Sequence, residues 1–159
     1  MRKLSFFIPL IVFLFTCQAL SAQSTGSSYR TALGAKVYFG DGTTGGINIK
    51  HFLNNHGALE GSLLFEKGHL GFEGMYDWHQ DIQGAAGLKW YVGGGGLLFF
   101  PTDDDYGDDV VFALKGALGL DYKFNGAPIN LSFDLNPIFV LAPDTDFDFW
   151  AGLAFRFTL

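Results

Sequence analysis

The sequence predicts an all-β fold, namely an eight-stranded antiparallel up-and-down transmembrane β-barrel. Three observations lead to this prediction. Apolar and polar residues alternate with a period of two along eight segments, as expected for strands with two different faces. The chain has 22 glycines and 18 phenylalanines, whereas only 16% of its residues are charged. An apolar leader precedes the first segment, which predicts export from the cytoplasm.

Residues 1–22 are predicted to be a signal peptide, and residues 23–159 the barrel domain. The leader begins with Met1-Arg2-Lys3, continues with an apolar run over 6–15 and ends in the small residues before Gln23. The apolar run is too short for a membrane-spanning helix, which needs about 20 residues. The alternative is lipoprotein processing before Cys17, to which Thr16 is a poor fit. Because Cys17 is the only cysteine, the mature chain has no disulfide framework and no thiolate metal site.

The eight alternating segments are separated by turn-forming residues such as Gly40-Asp41-Gly42. Each strand with its turn takes about 17 residues, which accommodates membrane strands of about 9–11 residues. Pro137 gives no ladder hydrogen bond and is expected at a bulge near the outer end of strand seven. The predicted strands are Ser28–Phe39, Thr44–Leu53, Ala58–Lys67, Leu70–Gln80, Gly87–Phe100, Val110–Phe124, Ile129–Val140 and Asp148–Leu159.

The apolar face of these strands carries Phe, Leu, Trp and Tyr all round the ring, which is too much bulk for the lumen of eight strands. We therefore expect that face to contact lipid, and the other face, half of it Gly, Ala, Ser and Thr, to line the lumen. Seven basic and six acidic residues on the polar faces nearly cancel, as a closed lumen requires. They predict an interior salt-bridge network that plugs the barrel: Arg30, Lys36, Lys50, Lys89, Lys115, Lys123 and Arg156 against Glu60, Glu66, Glu73, Asp77, Asp121 and Asp134.

Most remaining acidic residues fall in the first, third, fifth and seventh connections. If both chain ends face the periplasm, these connections form an acidic extracellular rim. The fifth connection is a weak calcium candidate, because carboxylates suit hard cations although the spaced EF-hand pattern is absent. A solvated loop is the alternative. The candidate ligands are Asp103, Asp104, Asp105, Asp108 and Asp109.

Two ligand classes are disfavoured. No basic patch exists to displace counterions from phosphates, so nucleic acid is excluded as a partner. Gly93-Gly94-Gly95-Gly96 lacks the Lys-Ser/Thr pair and the following helix of a phosphate loop. No cofactor is predicted.

The resemblance of this chain to a known family rests on three stretches: Leu88–Gly95, then Gly119–Phe124 with Pro128–Pro137, and finally Gly152–Leu159. Together they resemble the small eight-stranded outer-membrane barrel proteins common in Bacteroidetes-type bacteria, which share the architecture of OmpX and OmpA barrels. The resemblance implies a Gram-negative outer membrane with its lipids and lipopolysaccharide as partners. It also implies insertion by the barrel-assembly machinery, which reads the last strand. Phe155, Phe157 and Leu159 look like that signal, although phenylalanine is the more usual final residue.

The family brings no catalytic motif. We therefore predict a non-enzymatic integral outer-membrane barrel with a plugged polar lumen, serving envelope structure or surface interaction through a ligand that the sequence does not identify. One alternative is a soluble or lipid-tethered binding barrel of the lipocalin type, which needs an apolar interior. Another is a lipid-modifying enzyme using Ser62, Ser132 and His79, which no motif brings together. A porin-like pore is disfavoured, because side chains fill so narrow a lumen.

Overall fold

A computed structural model of the chain describes residues 29–102 and 109–159. All regular elements in this part are strands: β1 (Thr31–Phe39), β2 (Thr43–Phe52), β3 (Gly57–Glu66), β4 (His69–Asp81), β5 (Leu88–Pro101), β6 (Val111–Lys123), β7 (Ile129–Ala142) and β8 (Asp146–Thr158). The predicted eight strands are confirmed, with boundaries that differ by three residues at most. No helix in the described part is long and apolar enough to cross a membrane. The predicted signal peptide and Asp103, Asp104, Asp105 and Asp108 lie outside the described residues.

The sheet is closed. Each strand pairs antiparallel with the next along the chain, and β8 pairs with β1, from Ala32 opposite Thr158 to Phe39 opposite Ala151. The predicted closed up-and-down topology is therefore confirmed. Closure leaves no strand with unpaired backbone groups along an open edge.

The connections alternate between the two ends of the barrel. The loop end carries the connections 40–42, 67–68, 102–110 and 143–145, and the turn end carries 53–56, 82–87 and 124–128. Residues 29–30 and Leu159 also lie at the turn end, because β1 starts there and β8 finishes there. Gly68, in the two-residue turn between β3 and β4, has φ +76°, a conformation that favours glycine.

Pro137 lies within β7, opposite Phe149 of β8. The β6–β7 pairing has no residue partners opposite Pro137, yet the register is the same on both sides, from Lys115–Ile138 to Leu118–Leu135. The register change occurs instead where Phe112 and Ala113 face Ala142 and Val140. The expected bulge at Pro137 is therefore wrong in position. The ladder tolerates the missing N–H as a local gap, and the ring packs over Gly116, where a Cβ would lie 3.0 Å from it.

The two faces of the sheet differ sharply in chemistry. Thirty large apolar side chains of the described part are exposed, and 27 of them lie on the outward face of the eight strands. The inward positions bury most of the charged residues of the strands. Tyr29 is an exception to the predicted alternation, because in the predicted strand Ser28–Phe39 it has the same parity as the outward residues Leu33 and Phe39. It precedes β1, is buried, and packs edge-on against Phe52 with ring centroids 5.2 Å apart.

Candidate functional site in the barrel interior

The barrel interior holds charged side chains in equal numbers of each sign. Five basic and five acidic residues of the described part are buried there, and their formal charges cancel. Buried ions are tolerated when they are paired and hydrogen-bonded. We call this set the interior network: Lys36, Lys50, Lys89, Lys115 and Arg156 with Glu60, Glu73, Asp77, Asp121 and Asp134.

Glu60 of β3 is the centre of the network. Its carboxylate lies 2.7 Å from Lys36 Nζ, 2.9 Å from Lys50 Nζ and 2.9 Å from Arg156 Nη2. Asn48 adds a hydrogen bond of 3.0 Å from its amide nitrogen. These partners come from β1, β2 and β8, so one carboxylate ties together four strands, including the two that close the barrel.

Arg156 of β8 also connects several strands, through its guanidinium. Its Nη1 donates to Asn130 Oδ1 at 3.0 Å and to Ser132 Oγ at 2.9 Å, its Nη2 donates to Glu60, and its Nε donates to Asn48 Oδ1. The planar fork of arginine suits such multiple, directed contacts. Arg156 thereby connects β8 to β2, β3 and β7.

A second centre forms at Glu73 of β4, nearer the loop end. Its carboxylate accepts hydrogen bonds from the Tyr38 hydroxyl at 2.8 Å and from Ser62 Oγ at 2.8 Å. Lys115 Nζ pairs with the same carboxylate and lies 2.5 Å from the Tyr38 hydroxyl oxygen. The Lys115 ammonium also lies 3.8 Å from the Tyr38 ring centroid, which adds a cation–π contact.

Inward glycines give these carboxylates their space. Asp134 contacts Lys36 Nζ at 2.9 Å and accepts hydrogen bonds from the Tyr91 hydroxyl and from Asn136 at 2.6 Å. It lies directly over Gly152 of the neighbouring strand, where a Cβ would come within 2.1 Å of Asp134 Oδ1. A side chain at that position and the present place of Asp134 are therefore incompatible.

Toward the turn end, the network continues through Lys50. Its ammonium lies 3.3 Å from Asp77 Oδ2 and 3.4 Å from Asp121 Oδ2. Asp121 also accepts hydrogen bonds from Asn130 Nδ2 at 2.6 Å and from the Tyr29 hydroxyl at 3.4 Å. Burial and, next, the Asp121 carboxylate raise the pKa of Tyr29 well above its usual value, so this hydroxyl stays a donor.

Of the thirteen residues predicted for the interior network, the structure buries ten inside the barrel, and Arg30 is one of the three exceptions. Arg30 is exposed and Tyr29 beside it is buried, so the alternation of β1 does not extend to the residues before Thr31, although the Phe52 N–H still donates to the Arg30 carbonyl oxygen at 2.8 Å. Two further predicted network members also differ. Glu66 is exposed at the loop end of β3, and Lys123 is half-buried at the end of β6, with its ammonium on the Phe124 and Ala127 carbonyl oxygens.

Lys89 belongs to the network by burial but stands apart from its centre. Its ammonium pairs with the half-exposed side chain of Asp81 at 3.2 Å and donates to the Asn55 carbonyl oxygen at 3.4 Å. It therefore lies at the turn end of the interior, where it meets solvent-facing partners.

The loop end of the interior has a different, apolar lining that the alternation did not predict. Six buried side chains from five strands form one cluster, and three half-buried residues pack on it from the mouth. An open cavity of about 240 Å³ lies against this cluster. We call it the loop-end cup. The cluster consists of Tyr38, Leu64, Leu97, Phe99, Ala113 and Ile138, with Val111, Val140 and Trp150 above them.

The polar residues weighed for an enzyme are not brought together as a catalytic set. Ser62 bonds to Glu73 and Asn48, and Ser132 bonds to Arg156. His79 instead stacks on Tyr91 with ring centroids 4.9 Å apart, and its Nε2 lies 3.4 Å from Lys50 Nζ.

Metal ligands are likewise not grouped within residues 29–102 and 109–159, where no three His, Cys, Asp or Glu side chains could hold one ion. Of the calcium candidates, Asp109 is described and exposed, and the other four lie outside this part. The predicted insertion-signal residues Phe155, Phe157 and Leu159 are exposed on the outward face of the closing strand and beyond it.

No protein-family model matches the chain, and no curated protein does. One solved structure to which the chain is similar is the N-terminal β-barrel domain of Pseudomonas aeruginosa OprF. The TM-score is 0.63 at 18% sequence identity, with 81% of this chain and 98% of that chain covered. Likeness at this identity concerns the fold alone. The chain thus shares its barrel fold with the OprF domain, while the Bacteroidetes-type and OmpX relationships remain predictions.

Proposed function

We propose that this protein is an integral, non-enzymatic barrel of the bacterial outer membrane. The observation that carries the proposal is the outward apolar face. Leu118, Ile47 and Phe157 are 57%, 55% and 54% exposed, and similar residues surround the barrel without interruption. Soluble monomers rarely expose apolar patches larger than a few hundred Å². In the hydrocarbon of a bilayer this apolar surface is not exposed to water, and the closed ladder supplies partners for the backbone N–H and C=O groups.

Aromatic residues at the turn end also support the proposed membrane location. Tyr76, Trp78, Trp90 and Tyr122 point outward there, and the two tryptophans contact edge-to-face with centroids 5.5 Å apart. Trp and Tyr favour the membrane–water interface. In the proposed orientation the turn end faces the periplasm and the acidic loop end faces the cell exterior. Residues 1–22 are proposed to direct export.

We further propose that the interior network plugs the lumen, so that the barrel acts in envelope structure or surface contact. The paired charges and the apolar cluster above them support this, because together they fill most of the narrow interior. Outer-membrane lipids, lipopolysaccharide and the barrel-assembly machinery are the proposed partners. Divalent cations that bridge exposed acids such as Asp109 to lipid headgroups are part of this proposal.

The lipocalin-like alternative has less support. A soluble barrel exposes its charges to water and encloses apolar residues. In this chain ten ionic residues of the strands are enclosed, and they lie between small apolar clusters inside the barrel.

Lipid-phase labelling tests the proposed membrane location. The protein, purified from outer membranes and reconstituted, is exposed to a bilayer-soluble photoreactive probe, and labelled positions are mapped by mass spectrometry. We expect labels at outward residues such as Phe133 and Phe155 and none at Lys89 and Arg156. Labels on the two basic residues but not on the two phenylalanines would contradict the proposed orientation of the faces. Release of the protein from native membranes by carbonate would favour the soluble alternative.

A further inference from the structure

The loop-end cup combines an open cavity, an apolar lining and acidic residues at its rim. We propose that it is a binding site for a small organic cation, with an aromatic or short alkyl body and one protonated amine. The site goes beyond the proposed envelope role. It also depends only on the barrel interior, so it does not require the membrane location to be correct.

The size of the cup sets the size of the ligand. A dry cavity of about 150 Å³ lined by aliphatic and aromatic side chains binds benzene. The cup, at about 240 Å³ and open toward the mouth, holds a somewhat larger molecule than benzene. A neighbouring cavity of about 200 Å³ shares Glu66, Asp148 and Trp150 with it. This leaves room for a short charged substituent beside the apolar body.

The apolar lining of the cup indicates that the body of the proposed ligand is apolar. Leu97 and Phe99 are almost completely buried at the floor, and Val111 and Val140 form half-buried walls. The Trp150 ring is half-buried and lies 6.4 Å from the Phe99 ring, centroid to centroid. An apolar molecule here covers side chains that otherwise meet water at the mouth, which is favourable in proportion to the area covered.

The acidic residues at the rim of the cup indicate that the proposed ligand is positively charged. Glu66 and Asp148 both border the cup, and no lysine or arginine of the described part forms an ion pair with either of them. Thr44 donates to Glu66 at 3.1 Å, and the Trp150 indole donates to Asp148 at 2.5 Å. These bonds hold both carboxylates at the mouth. An ammonium placed between them and the Trp150 ring gains charge pairing and a cation–π contact.

The surroundings disfavour an anion. Asp41, Asp109, Asp144 and Asp146 are further, exposed acids of the described loop end. The basic residues at this end of the described part are Lys67 and His69, which itself lines the cup, so acidic residues still outnumber basic ones. The ammonium groups deeper in the barrel are already engaged by carboxylates, Lys115 by Glu73 and Lys36 by Glu60. A field of one sign at the mouth concentrates cations and repels anions.

The test uses the full barrel in lipid nanodiscs, with the indole N–H resonances of the three tryptophans as reporters. The probe is 2-phenylethylamine, compared with the neutral 2-phenylethanol and the anionic 3-phenylpropanoate. We expect the amine to shift the Trp150 signal saturably, with a Kd of about 10 µM to 10 mM, and more tightly than the other two compounds. Trp78 and Trp90 point outward, so their signals report partition of the probe into lipid instead.

Variants separate the two parts of the site. The pair Glu66→Gln with Asp148→Asn should weaken binding of the amine about ten-fold and change that of the alcohol little. Ala113→Phe fills the cup and should abolish binding of both. Leu114→Phe, on the outward face of the same strand, and Asp144→Asn, at the loop end outside the cup lining, are the matched controls that should bind as the wild type does.

Val111→Phe, at the half-buried wall, replaces Ala113→Phe if that variant does not fold. Equal shifts by amine, alcohol and carboxylate would overturn the charge assignment. A Trp150 signal unmoved by the amine at about 10 mM, or moved equally in the filled-cup variant, would overturn the site itself. Either result leaves the membrane proposal intact, because lipid-phase labelling does not depend on the cup.

Discussion

At the scale of single residues, Arg156 shows how strongly the interior depends on pairing. Its guanidinium contacts Glu60, Asn48, Asn130 and Ser132, and it is fully buried. Arg156→Met leaves the Glu60 carboxylate and three polar side chains without that partner. We expect a loss of about 3–5 kcal/mol in the free energy of unfolding, measured by urea titration in lipid vesicles. Arg30→Met, which changes an exposed arginine, should alter it by no more than about 0.5 kcal/mol. Equal losses in both variants would contradict this account.

A glycine offers a second test at this scale. Gly152→Ala places a methyl group 2.1 Å from Asp134 Oδ1 and 2.8 Å from Tyr38 Cε1, so both side chains must move. We expect destabilisation of about 1–3 kcal/mol by the same titration. Gly74→Ala is the matched control on an outward position, where a Cβ meets nothing within 4 Å. If the two alanine variants unfold alike, the inward glycine does not make room for the network.

The sequence predicts which strand residues point inward better than it predicts where each strand, and with it the alternation, ends. Period two assigns Lys36, Glu60 and Arg156 to the inner face without knowledge of any contact. Arg30 is at an inward position of the alternation but is exposed, and Tyr29 is at an outward position but is buried. Both precede β1, so the alternation has already ended there. The particular ion pairs were not predictable, because they depend on how far neighbouring strands are staggered around the ring.

At the scale of elements, β8 closes the barrel and carries the proposed insertion signal. Phe155→Asn with Phe157→Asn keeps the inward face of β8 unchanged and removes two outward aromatics. We expect a several-fold fall in the fraction of compact barrel in outer membranes, read as heat-modifiable mobility on a gel. Phe133→Asn with Leu135→Asn, the equivalent change on β7, is the control. A similar fall in both would mean that lipid contact in general is responsible, rather than recognition of the last strand.

The strands themselves were predictable because each has one apolar and one polar face. The loop-end cup was not, and the reason lies in two short runs. Leu97-Leu98-Phe99-Phe100 in β5 and Ile138-Phe139-Val140-Leu141 in β7 are apolar at every position, so alternation disappears there. Such a run is the available sign that both faces of a strand are apolar. Both runs lie near the same end of the barrel.

At the scale of the whole molecule, the filled interior predicts that ions do not pass freely. In planar bilayers we expect the wild-type barrel to show no stable large conductance, because paired charges and the apolar cluster occupy the lumen. The combination Glu60→Ala with Arg156→Ala removes the two most connected side chains and should raise ion permeability. Stable, large channels formed by the wild type would contradict the plugged interior.

The enclosed ions also constrain the route by which the barrel assembles. Glu60 and Arg156 are 96 positions apart in the chain and come together only when the first and last strands join. Until then each ion requires water, since hydrocarbon offers neither a counter-charge nor a hydrogen bond. A partly closed sheet therefore has a hydrated inner face that cannot enter the hydrocarbon. We infer that closure of the sheet and its insertion into the bilayer proceed together, and that water leaves the inner face as β8 pairs with β1.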